Sequence, residues 1–240
     1  MMRRSKIEAC KADLAHYLES YLLPCLCADS ACGVRQQDTG SKVWVLPQWY
    51  YRWLVGEREA LLAGTDFLST LVSWPRLHLV GDVAVPAHGT ATRSGTRRTI
   101  GKGTVGAALF VPKDHFAASM VHDANESNRI GILPRREFAK ISKSRRLGMR
   151  RSDFIRLSNK YGSTVVVSLS PPERAHDGTI FRLPPLGVLT IHSNAGTAWT
   201  PDQIFEISTW AVSAADDCVA RIIASGYEIP ASARRFTTTQ

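Results

Sequence analysis

The sequence predicts an α/β (α+β) fold, and three observations predict it. An amphipathic helical pattern opens the chain over residues 5–23, and a second closes it after Thr200. Between them lie short β-branched runs punctuated by Gly and Pro, clearest at 163–170.

The first helix rests on Ile7, Cys10, Leu14, Leu18 and Leu22, which recur at spacings of three and four. Ser5 is placed to cap it, with Glu8 as the other half of a capping box. Pro24 is expected to stop it. Residues 24–42 are small and polar and read as a loop carrying at most a short strand, and 42–46 as a strand. Trp49, Trp53, Leu61 and Leu62 share one helical face, which predicts a helix over 49–62.

Residues 76–85 read as a strand leading into a basic stretch at 88–99. A glycine-rich segment follows at 100–110, then a second basic segment at 135–151. Pro171, Pro172 and Asp177-Gly178 mark a turn region, and Phe181–Leu183 and Gly187–His192 supply one broken strand or two short ones. At the last helix Thr200 is the N-cap, Pro201 the first helical residue and Gln203 the far half of a capping box. Ile204, Ile207, Ala211, Ala214, Cys218 and Ile222 form its apolar stripe, and Gly226 ends it. No internal repeat is found.

Composition bounds the function classes. Of 240 residues 44% are hydrophobic and 21% charged, which excludes wholesale disorder. No apolar run approaches the ~20 residues that span a bilayer. Glu8, Lys11 and Asp13 interrupt the apolar core a signal peptide needs, so the expected location is cytoplasmic, without membrane insertion. The net charge of +9 predicts attraction for anions such as nucleotides or nucleic acid. Cys25, Cys27 and Cys32 lie close together, with Cys10 and His16 nearby, but C-x-C-x4-C is not a usual zinc spacing. They read as partly buried thiols, and no metal or other cofactor is expected.

Two segments carry a family resemblance. IGKGTVGAA (100–108) is similar to the glycine-containing turn that opens a short helix beside the ligand pocket of GAF domains. PLGVLTIHSN (185–194), followed by AWTPDQ and a long amphipathic helix, resembles the way such domains end. The resemblance covers roughly 76–225. It implies a GAF/PAS-like central antiparallel sheet flanked by helices, and a sensory, ligand-binding protein. The expected organisation is an N-terminal helical extension (1–75), a GAF-like domain (76–226) and a flexible tail (227–240). The chain departs from several family patterns. No cysteine lies between Cys32 and Cys218, where members reducing free methionine sulfoxide need them. No Cys-His pair suits bilin attachment, and the Asn-Lys-Phe-Asp-Glu signature of cyclic-nucleotide-binding members is missing.

The expected ligand site is the glycine turn with its basic neighbours: Arg97, Arg98, Lys102, Gly103, Thr104, Val105 and Gly106. Backbone N–H groups at a helix start hold anions, and the side chains add charge. The alternative reading of the glycines is a plain chain reversal. The expected partners are a small anionic ligand of the nucleotide kind, a protein partner, and a second copy of the chain through the terminal helices. The rival function is nucleic-acid binding by 93–98 and 135–151, with Arg145, Arg146, Arg150 and Arg151 as contacts. Its alternative is a solvated basic segment. Catalysis finds no support: the histidines are scattered, no G-x-S-x-G elbow exists, and Asp216 and Asp217 point to different sides of one helix.

Overall fold

The computed structural model describes residues 4–48, 50–51, 55, 77–83, 103–110, 119–174, 177–231 and 233. Among them, strands β1 (Thr39–Val45), β2 (His78–Val83), β3 (Ser119–Asp123), β4 (Tyr161–Leu169) and β7 (Gly187–Asn194) form one antiparallel sheet in the order β2-β1-β7-β4-β3. A separate hairpin pairs β5 (Pro172–Arg174) with β6 (Ile180–Arg182). The fold is thus mixed α and β with an antiparallel sheet. β1 sits inside the sheet, between β2 and β7. The division expected at residue 75 therefore assigns a central strand to the helical extension, because pairing partners lie far apart in sequence. The expected tail from 227 is anchored: Tyr227 is buried and donates to the Leu46 carbonyl at 3.1 Å, and Ala233 is buried.

Helix α1 (Arg4–Tyr17) does not stop at Pro24. It passes through a π-helical turn (Leu18–Leu22) into α2 (Leu23–Ala28), whose first turn holds Pro24. Leu23 N–H bonds Leu18 O, five residues back. This wider turn accommodates a proline that has no N–H of its own to donate. Of the helix expected over 49–62, residues 50, 51 and 55 are helical and the greater part lies outside the described residues.

The C-terminal helix α8 (Pro201–Ala224) forms as the sequence predicts. Thr200 Oγ1 accepts from Gln203 N–H at 3.2 Å, and Gln203 Oε1 accepts from Thr200 N–H at 2.9 Å. Ile207, Ala211, Ala214, Cys218 and Ile222 are buried, and α8 lies against β4 and β7. Each large apolar side chain buried here stabilises by about 1.5–3 kcal/mol. Helix α1 packs on α8, where Tyr17 Oη donates to Asp217 at 2.8 Å and Arg221 pairs with Asp13 at 2.7 Å. Asp216 faces elsewhere and takes both guanidinium nitrogens of Arg182.

Between β3 and β4 the chain leaves the sheet for four short helices: α4 (Ala124–Ile132), α5 (Arg135–Lys140), α6 (Lys143–Arg146) and α7 (Arg151–Ser158), α3 being Gly103–Ala107. Ile130, Met149 and Phe154 form a small core apart from the main one, with Phe138, Ile141 and Leu157 packed on it. Helices α4 and α7 cross at Gly131, where an added Cβ would lie 2.5 Å from Ile155 Cγ1.

Candidate functional site

Arg97, Arg98 and Lys102 of the expected ligand site lie outside the described residues, as does the basic segment 93–98. Gly103, Thr104, Val105 and Gly106 form most of the five-residue helix α3. Gly103 has φ +68°, a backbone conformation that glycine adopts without strain. Its N–H donates to the Leu147 carbonyl at 2.8 Å. The first donor of the turn is therefore used within the protein, in a contact with the α6–α7 loop, and is not presented to an anion. Val105 is buried and Thr104 half-buried. Helix α3 lies against β3, and the turn that follows it (Ala108–Phe110) lies against β4 and β7, so the contact with the late strand is made by the residues after the glycines.

The sheet places a further set of polar groups beside this contact. Register sets Gly40, His192 and Thr164 in one row across β1, β7 and β4, and Lys42, Thr190 and Val166 in the next row on the same face. Thr164, Thr190 and His192 are all buried. His192 packs edge-on against Tyr161, with ring centroids 4.8 Å apart. Thr190 Oγ1 donates to the Lys42 carbonyl at 3.3 Å. Lys42 Nζ reaches Asp82 on β2 at 2.7 Å. Thr164 Oγ1 is buried and has no hydrogen-bond partner among the described residues. Leaving a hydroxyl so placed costs about 1–3 kcal/mol. A polar ligand atom at that position would remove the cost. The sequence holds a trace of this cluster, since Thr190 and His192 are two apart on a strand. Their burial beside Thr164 required the register.

The basic segment is placed on the helical insertion. Residues 124–160 carry eleven Lys and Arg against three Asp and Glu, while the other 203 residues carry nineteen against eighteen. Three of the four arginines expected to contact nucleic acid hold the insertion together. Arg145 pairs with Glu126 at 2.8 Å, Arg151 donates to the Leu133 carbonyl at 3.0 Å, and Arg146 lies over the Phe138 ring at 5.5 Å. The Arg150 N–H is capped by Asp153 at 2.9 Å while its residue is exposed. Arg135, Arg136 and Lys140 are exposed, and no ion pair engages them among the described residues.

The cysteines are free thiols. Burial, with the charge of Asp29 adding to it, pushes the Cys32 thiol up to about 11, and burial pushes Cys218 up to about 12. Among the described residues no group of three or more His, Cys, Asp or Glu side chains is gathered as a metal site, and no helix is long and apolar enough to cross a membrane. Comparison of the chain with protein-family models, with curated proteins and with solved structures finds no match, so the site is read from its own residues.

Proposed function

We propose that this chain is a GAF-like sensory protein that binds a small anionic ligand between the 103–110 segment and the polar face of the sheet. The observation that carries the reading is the buried, unpartnered Thr164 Oγ1 in the same row as His192, on strands that the 103–110 segment touches. A hydroxyl, an imidazole and nearby Thr190 can orient one polar ligand in a largely apolar interior. Occupancy shifts the packing of α1 on α8, and the signal passes to a partner protein or a second copy of the chain.

The test is a thermal-shift screen with nucleotides, cyclic nucleotides and anionic metabolites. A ligand at a hundred times its Kd is expected to raise the Tm by about 5 °C or more. Thr164→Val separates binding from folding. It removes a hydroxyl with no hydrogen-bond partner among the described residues, so the unliganded Tm is expected to hold or rise, while the ligand-induced shift falls. A panel that leaves the Tm unmoved overturns the reading.

A further inference from the structure

We infer that the helical insertion 124–160 is a docking surface for the phosphate backbone of duplex nucleic acid. The inference is independent of the ligand site on the sheet. Its first ground is the charge distribution: the insertion has an excess of eight positive charges, and the rest of the chain an excess of one. A surface attracting anions only through overall charge would not confine the excess to 37 residues.

The second ground is how that charge is mounted. The insertion has its own small core and a close helix crossing at Gly131, so its cations ride on fixed helices. Arg145, Arg146 and Arg151 make contacts within it, Arg145 and Arg151 while staying exposed, and Arg135, Arg136, Lys140 and Arg150 are exposed too. Eight of the eleven cations are arginine, whose planar fork bonds phosphate oxygens two at a time.

The third ground selects among polyanions. A membrane-binding helix inserts apolar side chains below its cations. Here Ile130, Met149 and Phe154 are buried, Phe138 packs against Phe154 with ring centroids 6.1 Å apart, and Ile132 alone is an exposed large apolar side chain among the described residues of the insertion, too little apolar surface to anchor it in a membrane. Those two inward rings are the insertion's phenylalanines, so they form no exposed stacking platform for unpaired bases. What remains is phosphate contact, which is sequence-independent and suits a duplex.

The experiment titrates the full-length protein into fluorescent 30-base-pair DNA and RNA duplexes, a 30-nucleotide single strand, and vesicles containing phosphatidylserine, from 50 to 200 mM salt. Expected are duplex binding that falls steeply with salt and little sequence preference. The quadruple variant Arg135→Gln, Arg136→Gln, Lys140→Gln, Arg150→Gln is expected to keep its Tm and to lose affinity about tenfold or more at the lower salt. The pair Arg35→Gln, Arg174→Gln, on exposed sites outside the insertion, is the control and is expected to change affinity less than about threefold. No duplex binding at 50 mM salt overturns the inference. So does equal loss in the control, or stronger binding to the single strand or to vesicles.

Discussion

The sheet with its terminal helices and the helical insertion solve the problem of charge in opposite ways. Around the sheet, charges meet partners across long sequence separations: Asp13 with Arg221, Lys42 with Asp82, Asp216 with Arg182. Within 124–160 there are too few acids for that, and cations are left facing water. The apolar interiors differ in the same sense. The main core joins both chain ends to every strand of the sheet's centre, while the insertion closes on three buried side chains. Neutral, deeply packed regions carry stability. A thinly packed, repulsive region is retained at a cost to stability, which is the ordinary mark of a surface used for binding.

The sharpest way to break this comparison is to empty one side chain from each core. Leu189 is fully buried on the central strand β7, and Leu189→Ala is expected to lower global stability by about 2–5 kcal/mol in urea unfolding. Phe154→Ala removes a larger group, but the loss is limited by the stability of the insertion itself. Hydrogen exchange is expected to accelerate across 124–160 and to stay unchanged in β4 and β7. Equal urea midpoints for the two variants would show that the insertion unfolds with the sheet.

A smaller effect tests the sheet side alone. Thr200→Ala removes the side-chain cap of α8 and is expected to cost about 1 kcal/mol, read as a lower urea midpoint. The duplex affinity is expected to stay within about twofold, since the cap's partner is Gln203 and not a cation of the insertion.

The smallest effects are in pH. Trp210 Nε1 donates to Asp29 at 2.7 Å, and this bond, helped by the Ala31 N–H, holds the Asp29 carboxyl below its usual value of 3.8. A depressed acid stabilises the fold above its unfolded pKa, and that contribution is lost as pH falls below about 3.8. At the alkaline end the raised Cys32 thiol acts in the opposite direction. The unfolded chain ionises first, so the Cys32 share of stability declines from about 9 and is fully lost above about 11, while the still higher Cys218 thiol extends the decline. Urea midpoints measured across pH check both: Asp29→Asn is expected to flatten the acid limb, and Cys32→Ser to flatten the alkaline one.

What the sequence determined by itself was local. Thr200, Pro201 and Gln203 specify the start of α8 because cap, ring and amide all act within one turn. The strand read at 163–170, observed at Tyr161–Leu169, and the different sides taken by Asp216 and Asp217 were legible for the same reason. Tertiary structure decided the rest. Pro24 failed to stop its helix because a π turn shifts the hydrogen-bond ladder around it and buried neighbours such as Leu22 and Leu26 hold the continuation in place. The charge excess of 124–160 was countable from the start, but which arginines brace the insertion depended on Glu126, Phe138 and the Leu133 carbonyl. Likewise β1 became a central strand, and His192, Thr190 and Thr164 became one buried face, only when strands distant in sequence paired. Periodicity fixes which side of a strand a residue occupies, whereas register fixes which neighbour it meets, and register is a property of the assembled sheet.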